Sequence, residues 1–143
     1  MLKFLVPVDG SPASTRAIEH LIAIAGWYRE TPEIHLLNVQ SSLPLGGRVG
    51  SFIGQDQIAQ YHQEEGLAAL KPSRDKLDAA GVPYHYHIGV GDAAETIGKY
   101  VTETGCDQIV MGTRGMGSMS NLVLGSVANK VLHLSPVPVL LLR

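Results

Sequence analysis

Residues 108–126 read QIVMGTRGMGSMSNLVLGS, a short apolar run that passes into a loop with glycine at positions 112, 115 and 117. The run at 108–111 is predicted to be a buried β-strand, because it is short, apolar and bounded by a turn signal. The glycines end it, and residues 121–134 are predicted to be a helix. A buried strand, a glycine-rich loop and a helix in this order are typical of a parallel α/β fold.

The same alternation extends along the rest of the chain. Strands are predicted over 2–8, 34–39, 82–88 and 137–142, and helices over 12–28, 56–80 and 92–104. Pro72 is expected to kink or split the second of these helices, because proline removes a backbone hydrogen bond and clashes with the preceding turn. The order βαβαβαβαβ predicts one domain, residues 1–143, with an open parallel five-stranded sheet and helices on both faces.

The composition excludes several classes of protein. Apolar residues make up 45% of the 143-residue chain and charged residues 17%, with a net charge of −2, as in ordinary globular domains. We expect neither a nucleic-acid partner, for lack of a basic tract, nor a membrane span, since no apolar run approaches about 20 residues. The N-terminal residues 1–8 are predicted to be a strand rather than a signal peptide. Cys106 is the only cysteine and is expected to fill the core of a cytoplasmic protein.

Unusual residues follow two of the predicted strands, at the carboxyl ends where open parallel sheets bind ligands. They are the segments 9–11 (Asp-Gly-Ser), 112–117 and 125–126. Glycines allow backbone N–H groups to converge on a phosphate, Arg114 offers a permanent charge, and Asp9 can accept bonds from a ribose or hold a divalent ion. The loop is not a Walker A loop, since no Gly-Lys-Ser/Thr ends it, and a dinucleotide fingerprint would follow the first strand.

The pattern Gly112-x2-Gly115-x9-Gly125-Ser126 resembles the ATP-binding signature of the universal stress protein (UspA-like) family. The segments 6–11, 91–97 and 135–140 resemble the family's opening strand and turn, the start of its third helix and its closing strand. The resemblance covers the whole chain. It implies a Rossmann-like sheet of order 3-2-1-4-5, as in adenine nucleotide alpha hydrolases, with ATP across strands one and four.

The resemblance also implies a set of ligand contacts. Carried over by position, ATP with Mg²⁺ or Mn²⁺ is expected to contact Pro7, Val8, Asp9, Val39, Met111, Gly112, Arg114, Gly115, Gly125, Ser126 and Val127. The first three would lie beside the adenosine, Val39 would meet the adenine, and the others would surround the ribose and phosphates. Ala128 departs from ATP-binding relatives that have a hydroxyl residue there, so a weaker affinity is expected.

Three functions compete at this stage. The first is a nucleotide-binding module of the stress response, in which ATP occupancy alters dimer shape or partner choice. The second is an enzyme that slowly hydrolyses ATP or transfers a nucleotide, although no general base is evident and Asp9 is the best candidate to position Mg²⁺ or water. The third is a family member without nucleotide binding, which the intact glycine pattern disfavours. Asp9 as a helix cap, Arg114 as a surface residue and Ser126 as a helix-entry residue are the structural alternatives.

The histidines supply no metal site that the sequence alone can define. His85 and His87 share one face of a predicted strand, but no third ligand is identifiable, and His35 shows no ligand spacing. A partly exposed histidine pair is therefore favoured over a metal centre.

Two further expectations concern the surface. The glycine-containing loop 41–55 is predicted to fold over the nucleotide. The apolar final strand is predicted to join two copies in a homodimer, because an uncovered hydrophobic edge invites association.

Overall fold

The structure is a computed structural model that describes residues 1–42, 54–113 and 124–143. Its strands are β1 (Lys3–Pro7), β2 (Glu33–Gln40), β3 (Tyr84–Val90), β4 (Gln108–Gly112) and β5 (Val139–Leu142). Its helices are α1 (Pro12–Ile24), α2 (Gln55–Ala80), α3 (Ala93–Thr104) and α4 (Ser126–Leu134), with a 3₁₀ turn at Ala25–Trp27.

The strands form one parallel sheet of order β3-β2-β1-β4-β5, which confirms the predicted fold. Phe4 and Val6 of β1 point to a core shared with α1 and α2. Leu5, between them, points to a second core shared with α3 and α4. Strand residues alternate between the two faces of a sheet, so a strand buried on both sides must be apolar at nearly every position.

Local signals set the ends of the helices. Ser11 is the N-cap of α1, with Pro12 in the first turn, and the Asp92 side chain accepts a hydrogen bond from the Glu95 N–H at the start of α3. Gly81 and Gly105 end α2 and α3 in the left-handed conformation. None of the helices in the described part of the chain is long and apolar enough to cross a membrane.

Several predicted boundaries are wrong. Helix α4 begins at Ser126 and does not include residues 124 and 125 of the predicted helix, since Gly125 has extended backbone angles and donates its N–H to the Thr113 carbonyl. The predicted positions 121–123 lie outside the described residues. Strand β5 begins at Val139 rather than 137, because the Ser135 hydroxyl holds Val137 in a turn. In both cases the predicted helix or strand includes residues whose backbone groups bond a neighbouring turn instead of that helix or strand.

The helix α2 continues through Pro72 without interruption, so the predicted split at this residue is wrong. Pro72 lies on the exposed face, where water can bond the carbonyl that proline leaves unpaired. Leu70 and Leu77 are fully buried on either side of it and hold both halves of the helix against the sheet. Burial outweighs the lost hydrogen bond.

The end of β4 passes very close to the start of α1. A Cβ atom on Gly112 would lie 2.8 Å from the Ala13 Cβ and 3.1 Å from the Ala13 carbonyl carbon. No real side chain tolerates the shorter distance, so glycine at 112 lets α1 start directly beside β4.

We predict that Gly112→Ala lowers the free energy of unfolding by about 1–3 kcal/mol, because α1 must shift to admit the methyl group. Gly98→Ala in α3 is the matched control: its new Cβ meets nothing within 4 Å. That control should raise stability by about 0.8–1 kcal/mol, the helix propensity difference. Urea unfolding measures both, and equal effects of the two substitutions would contradict the packing constraint.

Candidate functional site

A cleft of about 420 Å³ opens at the carboxyl ends of β1 and β4, where the strand order reverses. This volume lies within the usual range of ligand sites, about 300–1,000 Å³. The predicted site residues that line it are Pro7, Val8, Asp9, Val39, Met111, Gly112, Gly125, Ser126 and Val127. The predicted contacts Arg114 and Gly115, and most of the loop 41–55, lie outside the described residues.

Asp9 is fixed by a small hydrogen-bonded network at the mouth of β1. Its Oδ1 accepts a bond from the Ser11 N–H at 2.8 Å and from the Ser14 hydroxyl at 2.6 Å. Gly10, with φ +83°, completes this tight turn in a conformation that favours glycine. Asp9 therefore orders the turn into α1, while Ser11 takes the capping position.

The network keeps the Asp9 carboxylate ionised. Burial alone would raise the pKa of Asp9, but bonds from the Ser11 and Ser14 hydroxyls and from backbone N–H groups outweigh it and lower that pKa below its ordinary value. The cleft thus has a fixed negative charge beside the end of β1.

Asn38 is a site residue that sequence reasoning missed. It is buried, and its Nδ2 donates a 2.7 Å hydrogen bond to the Val8 carbonyl. Its Oδ1 accepts a bond from the Gln40 side chain. The amide thereby holds the ends of β1 and β2 together below the cleft. The sequence does give one indication of this role, because Asn38 is a polar residue inside the mostly apolar run of β2.

The other lining residues that sequence reasoning missed are Ser14, Leu37, Ala93 and Ile97. Ser11, Ser41 and Thr113, from segments predicted to lie near the ligand, and Ala128, the predicted departure from the family pattern, also line the cleft. Most come from helix starts, which converge on this end of the sheet because every strand runs in the same direction.

The start of α4 faces the cleft without a capping side chain. The N-cap is Gly125, which has no side chain to accept a hydrogen bond. The first-turn N–H groups of α4 therefore have no capping side chain among the described residues. Such groups, with the helix dipole, favour an anion. Ser126 adds a hydroxyl, whereas the neighbouring Ala128 is buried in the core below. The cleft therefore combines apolar walls, a carboxylate and an anion-favouring helix start.

Fold and cleft together define an open-sheet α/β protein with a cleft at the point where its strand order reverses. The sequence model described as the Universal stress protein family matches residues 1–143, and the chain belongs to this family. Universal stress protein MJ0531 of Methanocaldococcus jannaschii is 32% identical over 99% of this chain and 81% of its own length. Universal stress protein YxiE of Bacillus subtilis is 31% identical over 99% of this chain and 98% of its own length.

Solved structures agree with this assignment. The structure of MJ0577, also of M. jannaschii, superposes with a TM-score of 0.79 at 28% identity, covering 98% of this chain and 94% of that one. Two others of the same fold, each 22% identical, were solved with ligands. A universal stress protein family protein of Arabidopsis thaliana has AMP bound; it superposes with a TM-score of 0.70 over 99% of this chain and 91% of that one. Another universal stress protein is in complex with cAMP and superposes with a TM-score of 0.71 over 99% of this chain and 97% of that one.

We predict that Ser14→Ala raises the pKa of Asp9, because the carboxylate loses its shortest hydrogen bond. A carboxylate whose folded-state pKa is depressed stabilises the protein above its unfolded-state pKa, and that stability is lost as the pH falls through the folded-state pKa. The stability lost in Ser14→Ala should therefore be largest near neutral pH and shrink in acid. Urea unfolding at several pH values, with the Asp9 carboxyl followed by NMR, measures both effects.

Thr15→Ala is the control for this prediction. The Thr15 hydroxyl bonds only the Ser11 carbonyl among the described residues, so its removal should cost the same stability at every pH. An unchanged Asp9 titration in Ser14→Ala would refute the network.

Proposed function

We propose that this protein binds ATP in the cleft between β1 and β4 and acts as a nucleotide-binding module of the cytoplasmic stress response. The observation that carries the proposal is the pairing of an ionised carboxylate with an uncapped helix start across one cleft of nucleotide size. A ligand with hydroxyl groups at one end and anionic groups at the other suits this pairing.

In the proposal, each part of the nucleotide has its own set of contacts. Val39 and the apolar wall beside it suit the adenine ring, and Asp9 suits the ribose hydroxyls, with Pro7 and Val8 alongside. The phosphates would lie toward the α4 start, against Gly125, Ser126 and Val127, with Met111 and Gly112 beneath. In the proposal, Arg114 and Gly115 complete the phosphate site.

The ligands of the two related structures support an adenine nucleotide. AMP and cAMP, bound by those proteins, share the adenosine group with ATP. The recognition of adenosine is therefore the common element, and the phosphate chain is what would separate ATP from the smaller ligands. Mg²⁺ or Mn²⁺ fits the site as a partner of ATP, because Mg²⁺ usually takes one or two carboxylates together with substrate phosphates. Asp9 is the only carboxylate among the described lining residues, so holding this ion is its alternative role to bonding the ribose hydroxyls.

Slow ATP hydrolysis is the alternative function. Asp9 is the only titratable side chain among the described lining residues. Its lowered pKa makes it a poor proton acceptor at neutral pH, since a general base works best with a pKa near the working pH. The proposed role is accordingly binding, with turnover slow or absent.

We predict that wild-type protein, freed of nucleotide, binds ATP with Mg²⁺ at one site per chain in a calorimetric titration. Ser126→Trp should abolish this binding, because the indole occupies the cleft where the phosphates lie. Asn129→Trp is the matched control: it lies one turn further along α4, is exposed and does not line the cleft. It should retain wild-type affinity.

Undiminished affinity in Ser126→Trp would refute the assigned cleft. The same samples assayed for ADP release separate binding from catalysis. A rate near the typical enzyme value of about 10 s⁻¹, lost in Asp9→Asn, would favour the enzyme instead.

The proposal includes a homodimer joined through β5. This strand is at the sheet edge and half-buried, with β4 as its neighbour. The Pro138 and Leu142 carbonyls accept bonds from β4, so by strand alternation residues 139 and 141 direct their backbone groups to the free edge. A second copy of the strand can pair there.

Leu141→Pro tests the dimer, because it removes an outward N–H and leaves the β4 ladder intact. Light scattering coupled to size exclusion should give a dimer for wild type and a folded monomer for this variant. Leu140→Pro, in contrast, should destabilise the fold. A wild-type mass of one chain, or a Leu141→Pro dimer, would overturn the assignment.

A further inference from the structure

A second cluster of polar side chains lies at the opposite end of the sheet from the cleft. His35 of β2 is paired in register with His85 of β3, and Leu37 with His87. Glu33 precedes His35 by two residues, so all these side chains share the sheet face that α3 covers. The His87 ring packs against Tyr100 of α3, with ring centroids 5.6 Å apart.

Three of these residues direct ligand atoms toward one point. The Glu33 Oε1 lies 3.1 Å from the His85 Nε2, and the Glu33 Oε2 lies 3.5 Å from the His35 Nε2. One ligand atom from each residue lies within 4.8 Å of the others. Around a tetrahedral zinc ion with bonds of about 2.0–2.1 Å, neighbouring ligand atoms are about 3.4 Å apart. The two distances from the Glu33 carboxylate are close to this value, and no pair of the three ligand atoms is more than 4.8 Å apart, so small side-chain rotations would bring all three onto one ion.

His35 supplies the independent observation. It is only 8% exposed, and its Nε2 has no hydrogen-bond partner in the described structure. The distance from this nitrogen to the Glu33 carboxylate is longer than the usual 2.7–3.2 Å of an N–H···O bond. A buried polar atom aimed at a carboxylate and left unpaired is explained if a cation lies between them.

The other ring nitrogen of His35 is already engaged. Its Nδ1 lies 2.9 Å from the His87 Nε2. When Nδ1 carries the proton and donates to His87, Nε2 presents a lone pair toward Glu33. Metal-bound histidines are usually oriented in this way through their second nitrogen.

The rings are also aligned before any ion binds. His35 stacks on His85 at 4.8 Å and on His87 at 5.2 Å between centroids.

We propose that Glu33, His35 and His85 bind a divalent transition-metal ion of the zinc class, with His87 as the residue that orients His35. Two imidazoles and a carboxylate suit Zn²⁺ and leave a coordination position for water. They do not suit Mg²⁺, which prefers oxygen ligands. The site is separate from the ATP cleft, so neither proposal depends on the other.

Among the described residues, the positive charge of Lys3 opposes binding of a cation at this site. Its Nζ lies 3.5 Å from the Glu33 Oε2 and competes for the same carboxylate. This pair is partly exposed, and such pairs contribute about 0–1 kcal/mol. A metal ion can displace the ammonium group, and Lys3→Gln should tighten metal binding.

The test is a calorimetric titration of the chelator-treated, nucleotide-free full chain with Zn²⁺, and with Mg²⁺ in parallel. We expect saturable binding of one Zn²⁺ per chain and none of Mg²⁺. His85→Ala and Glu33→Gln should each abolish it; the His85 side chain is 58% exposed, so its loss leaves the core intact. His87→Ala should weaken Zn²⁺ binding by about 10–100-fold, the usual effect of removing a residue that bonds a metal ligand without binding the metal itself. Lys3→Gln should strengthen it.

His133→Ala is the control, since His133 is exposed on α4 and is not part of the Glu33, His35 and His85 cluster. It should leave Zn²⁺ affinity unchanged. NMR of the imidazole nitrogens should place the ion on the Nε2 atoms of His35 and His85, with the proton of His35 on Nδ1. Absence of saturable Zn²⁺ binding, binding that survives in both His85→Ala and Glu33→Gln, or binding lost in His133→Ala would each overturn the site.

Discussion

The direct pairing of β1 with β4 is the constraint on which the rest of this structure depends. Helix α1, which follows β1, packs on one face of the sheet, and α4, which follows β4, packs on the opposite face. The cleft lies between the starts of these two helices. Gly112 allows α1 to start directly beside the end of β4, because no side chain stands between that end and the backbone of α1.

Much of this arrangement could be predicted from the sequence, because parallel strands buried on both faces have a strong apolar signature. The strand order came from the family resemblance and is confirmed. The boundary errors at 124–125 and 137–138 have a common cause: periodicity does not reveal which backbone groups form hydrogen bonds with a neighbouring turn. Pro72 shows the converse, since burial of Leu70 and Leu77 maintains a helix that local propensity would interrupt.

The residues that line the cleft or support it divide in a similar way. Those near the glycine signature were predictable, whereas Asn38 and Ser14 act through cross-chain or local hydrogen bonds that spacing does not encode. The histidines make the point most clearly. His35 and His85 are 50 residues apart in sequence but adjacent through strand register, which no search for ligand spacing along the chain could find. The two ends of the sheet thus differ in chemistry: hydroxyls and helix starts at one, imidazoles and Glu33 at the other.

The most direct test of the nucleotide site is a map of backbone amide chemical shifts with and without ATP and Mg²⁺. Our account predicts that the largest changes fall at Val8, Asp9, Ser126 and Val127, with α2 and the amino ends of β2 and β3 unaffected. No changes at saturating ATP, or changes centred away from the carboxyl ends of β1 and β4, would contradict it.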